Sequence, residues 1–254
     1  MRTLRLTVAY DGTGYAGWQV QPGRKRTIQG TLEQVLRRIL REPVSVIGSG
    51  RTDAGVHAIA QVAHCATRSP IACDRLLRSL NALLPPDIAV TYIEEAARGF
   101  HARFGARRKH YRYRVYTGAV VPPFIRPYVH HARQPLNLSA MRREAAALHG
   151  THDFRSFARL GKREQDTRRT IRAVRMSRKG SELHLDIEGN GFLHTMVRSI
   201  AGTILDVGRG RLAPGTVRRL LRAPPQRGAG RAPNRRLAGT TAPAHGLTLV
   251  SVEY

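Results

Sequence analysis

Apolar and polar residues alternate through Leu4, Leu6, Val8 and Tyr10, the period-two signature of a strand with one buried face. A glycine-rich turn follows, Asp11-Gly-Thr-Gly-Tyr-Ala-Gly-Trp18, and the spacing then changes. Leu32, Val35, Leu36, Ile39 and Leu40 share one face of a helix predicted over Thr31–Arg41, which Pro43 stops. Val44–Ile47 and Ile59–Ala66 read as strands, Ser69-Pro70 opens a helix carrying Leu76, Leu77, Leu80, Leu83 and Leu84, and Ile88–Ile93 is a further strand. The same order returns further along. Strands are predicted at Tyr111–Tyr116, Ile171–Met176, Leu183–Ile187 and Leu247–Val252, with helices at Ser139–Leu148, Phe192–Val207 and a short one at Val217–Arg222. Two β-α-β-β-α-β runs imply an α+β protein of two ferredoxin-like (RRM-like) halves, residues 1–97 and 98–254. Their antiparallel sheets are expected side by side, with helices on one face and a groove on the other. Ala223–Gly239, rich in Arg, Pro and Gly, is expected to be a mobile basic loop.

Charge changes the picture most. The 254 residues include 43 Lys+Arg against 17 Asp+Glu, a formal net charge of +26, and the lysines are only Lys25, Lys109, Lys162 and Lys179. The surplus is uneven: residues 1–97 hold 12 basic and 8 acidic residues, residues 98–254 hold 31 and 9. A polyanion is the natural partner, because each cation placed on a phosphate releases counterions. Nucleic acid fits better than a membrane surface, since no segment joins this charge to a strongly amphipathic helix with flanking Trp. No apolar run is long enough to span a bilayer, and Asp11 interrupts the N-terminus before a signal-peptide core forms. Cys65 and Cys73 are expected to be free thiols in a reducing cytoplasm.

The candidate chemistry centres on Gly48-Ser-Gly-Arg-Thr-Asp-Ala-Gly-Val-His57, set between two apolar strands. A dinucleotide fingerprint would need glycine where Asp53 stands and a helix after it, and a phosphate cradle would not present a carboxylate. What remains is a tight loop offering one acid beside Arg51; Asp53 either carries chemistry or caps the turn. His57, His64, Cys65 and Cys73 match no zinc spacing, and no metal is expected. In Arg107-Arg-Lys-His-Tyr-Arg-Tyr-Arg114, alternation puts Tyr111 and Tyr113 on one face and Arg112 and Arg114 on the other. Such a strand suits base stacking and phosphate pairing, with Arg107, Arg108 and Lys109 as RNA-contact candidates, although Tyr111 reads equally as a core residue. Arg198, on the predicted helix one turn after His194, either snorkels from apolar neighbours or pairs with a carboxylate such as Asp53. Arg227, Arg231, Arg235 and Arg236 are expected to add phosphate contacts.

Five segments then share a likeness: Tyr10-Asp-Gly-Thr-Gly-Tyr-Ala-Gly-Trp-Gln19, Gly48-Ser-Gly-Arg-Thr-Asp-Ala-Gly-Val-His-Ala58, Phe100-His-Ala-Arg-Phe104, Gly191-Phe-Leu-His-Thr-Met-Val-Arg198 and Val207-Gly-Arg-Gly210. Together they resemble the tRNA pseudouridine synthase A family, and the likeness runs to Gly246-Leu-Thr-Leu249 while leaving out mainly 223–239. The resemblance implies the pseudouridine synthase fold, a cytoplasmic homodimer, no cofactor, and isomerisation of uridines 38–40 in the tRNA anticodon stem-loop. It implies that Asp53 is the catalytic aspartate, that Arg51 helps displace the base and that Tyr111 packs on the target uridine. Arg198 would pair with the aspartate, and Leu247 would wall the pocket. Two other readings compatible with these residues are a synthase of different RNA specificity and a non-catalytic RNA-binding protein.

Overall fold

The computed structural model describes residues 1–23, 25–160, 166–223 and 237–254. Arg227, Arg231, Arg235 and Arg236, and most of the expected basic loop, lie outside the described residues. In chain order the elements are β1 (Arg2–Tyr10), α1 (Ile28–Leu40), β2 (Ile47–Gly48), β3 (His57–Thr67), α2 (Cys73–Leu83), β4 (Ile88–Glu95), β5 (Arg108–Tyr116) and β6 (His130–His131). They continue with α3 (Leu138–Ala146), β7 (Gly150–Asp153), β8 (Arg168–Lys179), β9 (Glu182–Gly189), α4 (Met196–Gly208), α5 (Thr216–Arg222) and β10 (Leu247–Glu253). The protein is α+β, as the pattern predicts. It forms two compact units, Met1–Arg107 with Thr248–Tyr254, and Arg108–Leu247.

In the first unit β1 lies between β3 and β4, antiparallel to both. Leu4, Leu6 and Val8 from β1 are fully buried, as are Leu32 and Leu36 of α1 and Leu76 and Leu80 of α2. That is the core expected when a period-two face meets two helical stripes. Helix α1 starts three residues before its predicted first residue, because the Thr27 side chain caps it by accepting from the Gly30 amide at 3.2 Å. Val44–Ile47 is not a strand. The Arg37 guanidinium takes the Val44 carbonyl, Glu33 Oε1 accepts the Val46 amide at 3.0 Å, and Gln29 donates to the Val46 carbonyl at 3.0 Å. Side chains of α1 thus occupy backbone groups a ladder would use, and only Ile47–Gly48 pairs with β3, at His64 and Ala63. The other end of β3 pairs in parallel with β10, through Thr248↔His57 and Leu249↔Ala58. The second-half strand predicted at Leu247–Val252 therefore groups, from Thr248 onward, with the first unit. Helix α2 begins at Cys73 rather than at Ser69-Pro70, where the Ser69 hydroxyl instead accepts from the Ile71 amide in a local turn.

In the second unit the strand order is β5-β9-β8-β7, antiparallel throughout, with β6 alongside β5. Strands β6 and β7 are two and four residues long, too short for a period to register in sequence. Helix α4 begins at Met196, not Phe192: Thr195 sits at φ 62°, a left-handed conformation that bars an earlier start. His194 is consequently off the helix and Arg198 is in its first turn. Gly202 lets residues 239–242 lie flush on α4, since a Cβ there would come within 1.6 Å of the Thr240 carbonyl oxygen. The buried Asp206 carboxylate holds the same segment through the Thr240 amide and hydroxyl, at 3.0 and 3.1 Å. Gly208, of the Val207-Gly-Arg-Gly210 motif, has Met141 of α3 against the place a Cβ would fill, so this motif serves helix packing.

Candidate active site

The Gly48–His57 loop and the Asp11–Trp18 turn are two halves of one packed object. A Cβ on Gly12 would fall 2.1 Å from the Val56 carbonyl oxygen, and one on Gly17, at φ +98°, 2.7 Å from the Thr52 oxygen and 3.2 Å from the Asp53 carbonyl carbon. A Cβ on Gly48 would strike the Trp18 ring at 2.6 Å. Glycine is required at these points because backbone lies on backbone, or on indole, with no space for a side chain. Hydrogen bonds complete the clamp: the Trp18 amide donates to the Thr52 carbonyl at 3.1 Å, the Val56 amide to the Asp53 carbonyl at 3.1 Å, and the Gly12 amide to His57 Nδ1 at 3.1 Å.

Below the loop, buried side chains fix its other peptide groups. Ser49 Oγ donates to Gln61 Oε1 at 2.7 Å while the Gln61 amide donates to the Gly50 carbonyl at 3.0 Å, and both side chains belong to fully buried residues. Tyr10 and Thr52 share a hydroxyl–hydroxyl bond of 2.9 Å. Burial pushes the Tyr10 phenol up to about 12, against smaller opposing effects of Thr52 and Gln61, so it stays a neutral hydrogen-bonding group. On this base Asp53 is half-buried and Arg51 is exposed, its Nε donating to Gln19 Oε1 at 3.3 Å. The loop is a tightly held turn that carries one half-buried carboxylate and one exposed guanidinium.

Among the described residues, the remaining sequence-derived candidates belong to the second unit, apart from Arg107, which is exposed in the first. Tyr111 is 7% exposed, edge-on to Phe192 at 5.1 Å between ring centres. Arg198 is half-buried and donates through Nε to the Ala242 carbonyl at 2.9 Å, while the Ala242 amide donates to the Arg198 carbonyl at 3.1 Å. Leu247 is buried at the head of β10. Arg51 and Asp53 thus share a loop, and Tyr111, Arg198 and Leu247 share the other unit.

Phosphate pairing by the β5 cations meets an obstacle. Alternation is as predicted, but the face opposite Tyr111 and Tyr113 confronts the acids of β9: Arg108 meets Glu188 at 3.2 Å, Arg112 meets Asp186 at 2.8 Å, and Arg114 meets Glu182 at 2.9 Å. Two histidines join the ladder, His110 to Asp186 at 2.6 Å and His184 to Glu182 at 2.9 Å. Burial raises the Asp186 carboxyl, but hydrogen bonds from His110 and Arg112 and the Arg112 charge outweigh it and hold the group below the usual carboxylate range. Glu182 is held low first by its hydrogen bond from Arg114, against burial. Lys109 is half-buried, opposite Gly189 in the ladder. Among the described residues no cluster of three or more His, Cys, Asp or Glu is arranged to hold a metal, and no helix is long and apolar enough to cross a membrane.

Sequence reasoning missed the partners that fix the loop: Ser49 and Thr52 stand inside the quoted motif but had no role assigned to them, and Gln61 lies beyond its end. The alternate acids Glu182, Asp186 and Glu188 did offer one, since same-face charges on one strand predict complementary charges on its neighbour.

Comparison with known proteins gives the loop its context. The family model described as tRNA pseudouridine synthase matches residues 6–105 and 145–254, including Arg51, Asp53, Arg198 and Leu247 but not Tyr111. Proteins named tRNA pseudouridine synthase A are 46% identical in Geobacter sulfurreducens, over 100% of both chains, and 46% in Bacillus subtilis, over 99% of this chain and 98% of that one. The protein of that name in Moorella thermoacetica is 44% identical over 100% of both. A solved Cbf5-Nop10-Gar1 complex is 14% identical, covering 79% of this chain and 54% of that one at a TM-score of 0.34, too low to add to the sequence match. With a family model across most of its length and relatives matched from end to end, the chain belongs to the tRNA pseudouridine synthase family, a family of isomerases.

Proposed function

We propose that this protein converts uridine to pseudouridine at positions 38–40 of the tRNA anticodon stem-loop, with Asp53 as the chemical group. The observation that carries the reading is the Asp53 carboxylate, half-buried on a turn whose peptide plane is pressed against Gly17. Isomerisation breaks the C1′–N1 bond, turns the base and joins C1′ to C5, while C5 gives up a proton and N1 ends protonated. No electrons are gained or lost, so no redox cofactor is required. The reaction does need an anionic oxygen held still beside the sugar or ring, acting as nucleophile or base. It also needs the base out of its stack, and a cation on the same turn, Arg51, is suited to fill the vacated space. The roles that the resemblance assigns to Tyr111, Arg198 and Leu247 belong to the same proposal, as do a homodimer and a cytoplasmic location.

The test is Asp53→Asn with an unmodified tRNA transcript. We expect tRNA affinity within about twofold of wild type and loss of product by a factor of about 10⁴ or more, as for removal of a nucleophile or its base. Pseudouridine still forming at wild-type rate would remove Asp53 from the chemistry. A base-resolved map showing modification outside 38–40 would redirect the substrate assignment.

A further inference from the structure

Residues 98–107 take no part in the chemistry just proposed, yet they are anchored with unusual care. The Ala102 amide donates to His64 Nδ1 at 3.2 Å and its carbonyl accepts from the Tyr254 hydroxyl at 2.7 Å. His101 Nδ1 accepts from the Arg103 and Phe104 amides at 3.1 and 3.2 Å, and the Gly105 amide donates to the His101 carbonyl at 2.9 Å. Phe100 packs on Tyr254 at 4.9 Å, with the Arg5 guanidinium over both rings. A turn held at so many points does not leave an aromatic in water for want of order. Phe104 is nevertheless 78% exposed.

The exposed ring ends a column. His64 lies 4.7 Å from His101, and His101 lies 4.4 Å from Phe104 at an interplanar angle of 31°. Burial, and secondarily the nearness of His101, holds the His64 pKa below its usual value, so that ring is neutral near pH 7. Arg103 has its guanidinium 5.7 Å from the Phe104 ring centre, and Arg98, Arg103 and Arg107 are all exposed. The chain carries no acid from Ala96 through Arg143, and the two just before it, Glu94 and Glu95, are ion-paired to Arg5 and Arg2.

We propose that this turn is a second RNA-binding site, a nucleobase platform on which an unpaired base of the RNA substrate stacks against Phe104 while Arg103 meets the adjoining phosphate. A rigid aromatic with an open face among cations is the arrangement that single-stranded nucleic acid uses, independent of sequence. The occupant is RNA rather than a second copy of this chain because the exposed charged side chains of the turn itself, Arg98, Arg103 and Arg107, are all cations, and two copies facing each other there would repel. The proposal rests on the RNA-modifying reading above and adds a contact that does not touch the reacting uridine.

Steady-state kinetics on an unmodified tRNA transcript test it. Phe104→Leu keeps the apolar bulk but loses the ring, and KM rises about tenfold with kcat unchanged. Phe104→Trp restores KM, and its fluorescence is quenched on adding the transcript, over the background of the one native tryptophan, Trp18, which is buried. A wild-type KM in Phe104→Leu overturns the platform while leaving the synthase reading intact. Wild-type enzyme that makes no pseudouridine in tRNA overturns the synthase reading itself. A Phe104→Leu protein that changes oligomeric state by sedimentation shows a contact between copies instead, and also overturns the platform.

Discussion

Two neighbouring stretches, Phe100–Arg107 and Arg108–Arg114, have nearly the same composition and opposite fates. Each interleaves aromatics with arginines and contains no acid. In the first, Phe104 and Arg103 face solvent. In the second, Tyr111 and Tyr113 are buried and Arg108, Arg112 and Arg114 are matched by Glu188, Asp186 and Glu182. Composition signals a polyanion partner, but a cation serves RNA only where no carboxylate of the protein has already claimed it. Three of the nine acids in residues 98–254 are spent on this one strand, so the local excess of charge lies elsewhere than a count along the chain suggests.

The largest effect that would sharpen the contrast is on stability. Asp186→Ala leaves His110 and Arg112 facing each other without their shared carboxylate, at a cost of roughly 2 kcal/mol and a fall in Tm of about 5 °C by calorimetry. An unchanged Tm would show that the ladder does not support the fold. The same acids set a pH dependence. Asp186 and Glu182 are held below their unfolded values, so their contribution is complete above about pH 5 and is lost as pH falls through the folded values. Wild-type Tm should therefore drop on acidification, and Asp186→Ala should flatten the drop; parallel curves would locate the acid sensitivity in other groups.

A smaller effect separates the two stretches directly. Arg103→Gln should reduce the slope of log K for tRNA against log salt by about 0.7 to 0.9 while leaving Tm within about 1 °C, as expected for one exposed phosphate contact. Arg112→Gln should do the reverse, lowering Tm while leaving the slope within error. Equal slope changes in both variants would erase the distinction between a claimed and an available arginine.

Much of this was legible in advance. The alternation of Leu4, Leu6, Val8 and Tyr10 and the stripe of Leu32, Leu36 and Leu40 are local signals, and β1 and α1 follow from them. The glycines of 11–18 and 48–55 marked turns, but their mutual contact, Gly12 on Val56 and Gly17 on Asp53, lies across about 40 residues of chain and leaves no periodic trace. Val44–Ile47 failed because α1 side chains outcompeted a neighbouring strand for its backbone. The start of α4 failed because the left-handed turn at Thr195 carries no glycine to announce it. Asp53 stood out as a lone acid among tight-turn glycines, a pattern that fits chemistry or a turn cap equally, and the role proposed for it comes from the resemblance. Phe104 stood inside a quoted motif, yet nothing in the string distinguishes it from the packed Phe100 four residues earlier.

The glycine clamp beneath Asp53 has a thermal consequence. Backbone pressed on backbone at Gly12 and Gly17 gives the loop no softer intermediate state of its own: to loosen, it must peel from the turn that continues β1, at the middle of the first unit's sheet. Loosening of the loop and unfolding of that unit are then a single event, and the unit reaches its melting point with the carboxylate still in place.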